Sequence, residues 1–243
     1  GSAVGMDKVA QKRIYQALGI PTAAFVVVTA AQHRASAKRF PKLIAEAVGY
    51  PCFVKPPNLG SSVGISKVHS PRELAPAVRL AFRYDTKVMV ERAVPNALEI
   101  EVAVLGNDAP KASVCGQIIA SNEFYDYNAK YVDGASRAVI PAPLPVGTSE
   151  RIRGLAVAAY QALDLSGMAR MDFLVDAKTR KVYLSEANTI PGFTSISMFP
   201  KLWAASGLPY ARLLDELVRL AQERHAARGK LQTSFKPKQQ WYR

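Results

Sequence analysis

The spacing of apolar residues divides the chain into helices and strands along its whole length. Apolar residues recur at helical intervals over residues 7–18, 30–48, 70–84, 149–163 and 210–225. Runs rich in apolar and β-branched residues predict strands over 24–29, 50–55, 65–68, 88–93, 100–105, 111–120, 168–175 and 181–186. Both halves of the chain therefore combine helices with strands, which predicts an α+β fold.

The pattern changes near the segment Val94-Pro95-Asn96, and this change predicts two lobes. Residues 1–94 form the predicted first lobe and residues 95–235 the second, in which strands 100–105 and 111–120 are expected to pair antiparallel. Residues 236–243 are a basic tail with little apolar surface to pack. A cleft between two lobes is a common place for a small-molecule site.

Composition excludes several classes of protein. Of the 243 residues, 49% are hydrophobic and 21% are charged, which is typical of a globular protein. No stretch reaches the roughly 20 apolar residues that cross a bilayer, so no membrane partner is expected. The two cysteines, Cys52 and Cys115, lie in apolar runs and are expected to be buried free thiols, which favours a cytoplasmic location.

The formal net charge of +13 favours an acidic partner or a solvated basic surface. A nucleic-acid-binding protein should show basic residues interleaved with exposed aromatic residues, or a known reading motif. Neither is found, and the positive charge is spread along the chain, so no nucleic-acid partner is expected. A polyphosphate ligand remains compatible with the charge.

Two neighbouring strands carry residues suited to a metal ion. In strand 168–175, Arg170 and Asp172 project from one face, and in strand 181–186 the same period aligns Glu186 with Asn188. Two carboxylates and an amide oxygen, with no His or Cys nearby, form a hard-oxygen set that suits Mg²⁺. The alternative is that these are solvated polar residues on half-exposed strands.

Three other segments carry candidate binding groups. Residues 55–64 place Lys55 at a strand end before a loop of glycines and serines that can offer backbone N–H groups to a phosphate. Glu91 ends another strand and can accept a hydrogen bond from an adenine amino group. Residues 189–198 form an apolar loop whose hydroxyls and N–H groups can hold a carboxylate. The alternatives are, in turn, a flexible turn, a surface residue and a packed surface loop.

Five segments, in this order, resemble the pattern of the D-alanine–D-alanine ligases. They are Met6-Asp7-Lys8, residues 55–64, Tyr127-Asn128-Ala129-Lys130-Tyr131, Arg170-Met171-Asp172 and residues 186–197. The resemblance covers nearly the whole chain, from about residue 5 to about residue 235. The last segment is specific enough to be strong evidence by itself.

The resemblance implies an ATP-grasp fold, in which two α+β lobes hold Mg-ATP between their sheets. The implied reaction makes D-alanyl-D-alanine for peptidoglycan. ATP phosphorylates the carboxylate of one D-alanine, and the amine of a second D-alanine attacks the acyl phosphate. ATP and D-alanine are the implied partners. Two Mg²⁺ ions are the implied cofactors, and Mn²⁺ can replace them.

The resemblance also assigns roles to single residues. The nucleotide residues are Lys8, Lys55, Ser62 and Lys130 at the phosphates, Glu91, Arg92 and Val94 at adenine, and Glu99 at the ribose. The metal ligands are Asp172, Glu186 and Asn188. The residues at the reacting groups are Arg170 and the Gly192 N–H at the oxyanion, Ser197 and Met198 at the second D-alanine, and Ser61 and Tyr131 orienting the loops over the site.

The chain departs from the resemblance at its start. In the family, an N-terminal domain precedes the Met-Asp-Lys segment, supplies a glutamate that holds the first D-alanine and often contributes to a homodimer contact. Only seven residues precede Lys8 here. We therefore expect the isolated chain to bind ATP and to make dipeptide poorly. Two alternatives stay open, another ATP-grasp ligase with different substrates and a nucleotide-binding module without turnover.

Overall fold

A computed structural model describes residues 1–119 and 137–235. The helices are α1 (Ser2–Met6), α2 (Lys8–Ala17), α3 (Ala30–Ser36), α4 (Phe40–Ala47), α5 (Pro71–Ala81), α6 (Val146–Ala162), α7 (Met198–Ala205) and α8 (Tyr210–Gly229). The strands are β1 (Phe25–Thr29), β2 (Cys52–Lys55), β3 (Ser66–Val68), β4 (Lys87–Arg92), β5 (Ala97–Gly106), β6 (Lys111–Ala112), β7 (Gly116–Ile119), β8 (Arg137–Val139), β9 (Gly167–Asp176) and β10 (Val182–Asn188).

The first sheet is antiparallel and has the strand order β1-β4-β2-β3. Helices α4 and α5 cover its apolar face, because each turns one buried stripe toward the sheet. The core below them includes Phe40, Ile44, Val54, Val78 and Val90. The opposite face of this sheet supplies the polar residues described below.

The second sheet has the order β10-β9-β5-β7-β8, and β6 also pairs with β5. Its central strand β5 is buried on both faces. Ile100, Val102 and Val104 pack into a core with α6, whereas Ala103 and Leu105 pack into a second core with α7 and α8. A strand covered on both faces is nearly continuously apolar, and residues 102–106 of β5 follow that rule, whereas Glu99 and Glu101 lie nearer its start.

Two predicted elements are each divided in the structure. The helix predicted over 30–48 is two helices, α3 and α4, because Pro41 lies in the first turn of α4. Proline has no N–H for a bond to residue 37, and its ring clashes with that carbonyl. The strand predicted over 111–120 is β6 and β7, since the Ser113 hydroxyl accepts a hydrogen bond from the Ala103 N–H (3.0 Å) in place of a ladder bond.

Several elements were not predicted, or have other ends. Helices α1 and α7 and strand β8 have no predicted counterpart, while α6 begins three residues early and α8 ends four residues late. Helix α7 begins at Met198, the last residue of the loop predicted over 189–198, and continues through a stretch with no predicted element. Its buried residues Met198, Phe199, Leu202 and Trp203 show that a short apolar helix covers the second sheet there.

Helix α2 joins the parts of the chain. It is near the start, yet Tyr15 on α2 and Ile20 after it pack into the core of the second sheet. The Pro21 carbonyl also accepts a hydrogen bond from the Leu184 N–H of β10 (2.8 Å). The division into lobes near residue 94 stays a prediction. Helix α2 belongs to the predicted first lobe by sequence, yet it packs against the second sheet. Within the described ranges, no helix is both long and apolar enough to cross a membrane.

Candidate functional site

Helix α2 sets the position of two lysines. The Asp7 carboxylate caps the helix by accepting from the N–H groups of Val9 and Ala10. Lys8 and Lys12 lie four residues apart and therefore project from one side of the helix. Gln11 fixes the helix to β10, because its amide accepts from the Ala187 N–H at 2.8 Å and donates to the Ala187 carbonyl at 3.1 Å.

Lys12, Lys55 and Glu91 form a buried group that we call the basic cluster. The two carboxylate oxygens of Glu91 each lie 2.5 Å from one lysine nitrogen, Lys12 Nζ and Lys55 Nζ. Lys12 Nζ also donates to the Leu184 carbonyl of β10 at 3.3 Å. Lys12 is 0% exposed and Glu91 is 2% exposed, so this pair at the centre of the cluster is removed from water.

Burial and charge act in opposite directions on the pKa values in the basic cluster. Burial alone would raise the pKa of Glu91, but Lys12 and Lys55 more than offset it and hold that pKa below its ordinary value. Burial lowers the pKa of Lys12, and Glu91 opposes this effect only in part. Because an ionised Glu91 lies 2.5 Å away, we assign Lys12 as the charged ammonium.

Glu101, Arg170, Asp172 and Glu186 form a second group, the acidic cluster. The sheet register aligns Glu101 of β5, Asp172 of β9 and Glu186 of β10 in one row across three strands. Arg170 makes a two-bond pair with Asp172 (2.7 Å for each bond) and lies 3.2 Å from Glu101. Burial alone would lower the pKa of Arg170, but Asp172 and Glu101 raise it above its ordinary value.

A β-bulge in β10 brings Glu186 into this row. Leu184 pairs with Phe173 and Glu186 pairs with Asp172, so Ser185 is an extra residue in the ladder. Strict alternation would place Leu184, Glu186 and Asn188 on one face. Leu184 is instead buried in the core, while Glu186 and Asn188 lie on the other, half-buried face.

Lys8 lies between the clusters and the loop that follows β2. Its ammonium is 2.9 Å from Glu186 Oε2 and donates to the Leu59 carbonyl at 2.7 Å. In the same loop, Ser61 and Ser62 have positive φ angles of 52° and 60°. This uncommon conformation turns successive backbone groups of the loop, as in anion-binding loops. The contacts predicted here for Ser61 and Ser62 stay predictions.

The other predicted nucleotide residues differ in their surroundings. Arg92 is exposed, and its Nε donates to the Val48 carbonyl at 2.6 Å, while Val94 and Glu99 are half-buried. Glu91 is engaged by two lysines, so its predicted adenine contact stays a prediction. Lys130 and Tyr131 lie outside the described residues.

The segment after β10 holds the remaining predicted residues. Ser197 Oγ accepts from the Thr194 N–H at 3.0 Å, and a Cβ added to Gly192 would lie 2.7 Å from this oxygen. Gly192 therefore allows Ser197 to approach the turn closely. Met198 is buried at the start of α7, which leaves its backbone as the part able to face a substrate. The substrate and oxyanion roles of these residues stay predictions.

Comparison with known proteins gives the family. The family model described as "D-ala D-ala ligase C-terminus" matches residues 14–219. The D-alanine–D-alanine ligase of Thermoanaerobacter sp. (strain X514) is 57% identical over 92% of this chain and 62% of its own length. The Clostridium acetobutylicum ligase is 51% identical over 93% of this chain and 66% of its own length.

The chain belongs to the D-alanine–D-alanine ligase family. It spans about three fifths of the length of the first of these relatives. Among solved structures, the D-alanine–D-alanine ligase from Coxiella burnetii is 39% identical, with a TM-score of 0.81 over 94% of this chain and 60% of its own. The VanG D-Ala:D-Ser ligase from Enterococcus faecalis is 36% identical, with a TM-score of 0.80 over 90% of this chain and 62% of its own. The predicted α+β, ATP-grasp fold is confirmed.

The oxygen atoms of Asp172, Glu186 and Asn188 fit the magnesium ions that the family implies. Asp172 and Glu186 are direct cross-strand partners, and Asn188 Nδ2 donates to Asp172 Oδ2 at 2.8 Å, which leaves the Asn188 amide oxygen as an acceptor. Among the described residues, no three His, Cys, Asp or Glu side chains are arranged to hold a metal. The Asn188 oxygen and phosphate oxygens would therefore have to complete the coordination.

Three residues of the site were missed or left without a role. Lys12 was not singled out, although its spacing of four residues from Lys8 on a predicted helix is a readable signal. Gln11 has no such signal, because a glutamine on a helix is ordinary. Glu101 was also missed, because its contact with Arg170 depends on the register between β5 and β9.

Proposed function

We propose that this chain carries the ATP-binding and carboxylate-activating part of a ligase that joins two D-alanines. The observation that supports this proposal is the position of Lys8, whose ammonium donates to the Leu59 carbonyl of the loop after β2 and lies 2.9 Å from Glu186 of the acidic cluster. A positive cluster beside a negative one suits a polyphosphate and the divalent cations that accompany it. Family membership supports the choice of substrates.

The reaction proceeds in two steps. A carboxylate oxygen of the first D-alanine attacks the γ-phosphorus of ATP, the bond to the β-phosphate oxygen breaks, and ADP leaves. The deprotonated amine of the second D-alanine then attacks the acyl carbon. The bond from this carbon to the phosphate oxygen breaks, and inorganic phosphate leaves with the proton that the nitrogen loses as the peptide bond forms. Phosphoryl transfer needs mainly positioning and charge neutralisation, so no side-chain nucleophile is required.

Residues of this chain neutralise the negative charge on the phosphates and on the tetrahedral intermediate. Lys8 and Lys55 neutralise phosphate oxygens, and the backbone of residues 60–62 covers them. Asp172, Glu186 and Asn188 would hold the magnesium ions, which would supply positive charge to neutralise the phosphate oxygens. Arg170 and the Gly192 N–H donate to the oxyanion of the tetrahedral intermediate, where donors fixed in advance are most effective.

A second candidate concerns the second amino acid. The likeness to the VanG D-Ala:D-Ser ligase is nearly as close as that to the D-alanine ligase structure, so ligation of D-alanine to D-serine is the alternative product. Ser197 and Met198 are the residues assigned to that substrate. The cytoplasmic location and the homodimer stay predictions.

The test measures ADP and dipeptide from the 243-residue chain with ATP and Mg²⁺. Parallel reactions contain D-alanine, D-alanine with D-serine, or L-alanine as the stereochemical control, and products are separated by chromatography. We expect slow formation of ADP and D-alanyl-D-alanine from D-alanine, and neither product from L-alanine. ATP binding without ADP or dipeptide in any reaction would contradict the ligase proposal and favour a nucleotide-binding module.

A further inference from the structure

Lys12 is a buried cation without a role in the proposed reaction. It is 0% exposed, so it cannot contact a ligand directly. Its ammonium lies between the Glu91 carboxylate on the first sheet and the Leu184 carbonyl on the second. A buried lysine is costly unless it is paired, and this one shares its carboxylate with a second lysine.

The net charge of the basic cluster shows the effect of two lysines sharing the Glu91 carboxylate. Two ammonium groups on one carboxylate leave these three side chains with one net positive charge. Lys12 is wholly enclosed, whereas the Lys55 side chain is 11% exposed and ends the strand before the glycine- and serine-containing loop. The excess charge therefore reaches solvent at Lys55.

We propose that Lys12 is a positioning residue that neutralises Glu91 and so leaves the charge of Lys55 available to the phosphates of the nucleotide. Without Lys12, Glu91 and Lys55 would form a neutral pair, and the carboxylate would hold Lys55 by both oxygens. This inference rests on the proposed binding of ATP. Although Lys12 cannot reach the ligand, it should increase the affinity for the phosphates of ATP. It should not change the affinity for the nucleoside.

The experiment compares ATP with adenosine in competition against a fluorescent ATP analogue, using the 243-residue chain. Lys12→Met keeps a long apolar side chain at the site and removes the charge. We expect its affinity for ATP to fall at least about tenfold, because losing one unit charge weakens the Coulomb attraction of the phosphates at an intermediate dielectric. Its affinity for adenosine should stay within about twofold of the wild type. Lys42→Met is the matched control, because Lys42 is an exposed lysine on α4.

The double variant Lys12→Met with Glu91→Gln gives the decisive result. It removes one positive and one negative charge together, so the cluster again has a net charge of +1, which now lies on Lys55 alone. The ratio of ATP to adenosine affinity should return to the wild-type value, even if Glu91→Gln weakens both ligands through the adenine. A merely structural role for Lys12 would change the affinities for ATP and adenosine together, so it would leave the ratio of the two affinities at the wild-type value in Lys12→Met.

The outcomes separate this inference from the proposed function. Equal loss of ATP and adenosine affinity in Lys12→Met, or a ratio that stays low in the double variant, would overturn the role of Lys12 only. Failure of the wild type to bind ATP would overturn the proposed function and this inference with it. If Lys12→Met does not fold, the ratio in the double variant decides, since a value well below wild type contradicts the inference.

Discussion

The basic and acidic clusters are made of similar side chains and differ in sign. In the first sheet, the row through Glu91 is completed by Phe25 and Phe53, so only one carboxylate faces its two lysines. In the second sheet, the corresponding row consists of carboxylates on three adjacent strands, and only Arg170 of the cluster opposes them. Strand register therefore decides how many carboxylates lie side by side in each sheet.

This difference indicates what each cluster can bind. The three side chains of the basic cluster sum to one positive charge, which suits an anion such as a phosphate. The four side chains of the acidic cluster sum to two negative charges, which suits a divalent cation. Helix α2 serves both, because Lys12 belongs to one cluster and Lys8 contacts the other.

The largest expected effect comes from breaking the basic cluster at its carboxylate. Glu91→Gln leaves Lys12 charged and buried, so we expect the free energy of unfolding to fall by about 3–5 kcal/mol in urea denaturation. Removing Lys12 as well should recover most of this loss. Glu46→Gln, at an exposed pair with Lys42, is the control and should change stability by less than about 0.5 kcal/mol. A Glu91→Gln protein as stable as this control would refute the buried charge pair.

Next in size is the loss of the internal counterion of the acidic cluster. Arg170→Met leaves its carboxylates to repel one another, and we expect about 1–3 kcal/mol of destabilisation without divalent ions. MgCl₂ should then raise the melting temperature of this variant more than that of the wild type, because the cation no longer competes with the guanidinium. An equal magnesium response in both proteins would show that Arg170 does not restrain cation binding.

A smaller effect is expected at the predicted metal ligand Glu186. Mg-ATP should raise the melting temperature of the wild type, and EDTA should remove most of the rise. Glu186→Gln should weaken binding about tenfold, a loss of about 1.4 kcal/mol. Glu150→Gln, which changes an exposed glutamate paired with Arg153, serves as the control. A response to ATP that neither EDTA nor Glu186→Gln alters would exclude this site.

The smallest effect concerns Asp7, which caps the helix that serves both clusters. Burial alone would raise its pKa, but Lys87 and the N–H groups of Val9 and Ala10 bring the pKa below its ordinary value of 3.8. A lowered folded-state pKa stabilises the protein above the unfolded value, and this stability is lost as the pH falls through the folded value.

Asp7→Asn keeps the cap and loses the ion pair with Lys87, so we expect it to be less stable by about 0.5–1 kcal/mol at pH 7. The difference should shrink as the pH falls below 3.8. Unfolding free energies of both proteins at pH 7 and pH 3 measure this. A gap that is the same at both values would mean that ionisation of Asp7 contributes nothing.

Local patterns in the sequence were sufficient for most elements and for part of the site. The alternation in β9 correctly placed Arg170 and Asp172 opposite the core residues Met171 and Phe173. The helical stripe of α2 and its end at Gly19, which has a φ of 69°, also follow from local residue preferences. These features depend on residues a few positions apart, and their physical causes are present in the unfolded chain.

The tertiary structure alone decided which charges meet. The bulge at Ser185 turns Glu186 toward Asp172, and no pattern in the strand sequence marks that extra residue. Lys12 finds Glu91 and Leu184, both far away in sequence, only because α2 packs between the two sheets. Ion pairs in a buried site depend on register and helix packing, which are fixed by long-range burial of apolar surface. The sequence therefore determined which groups were available, and folding determined their pairing and the sign of charge that each cluster offers to a ligand.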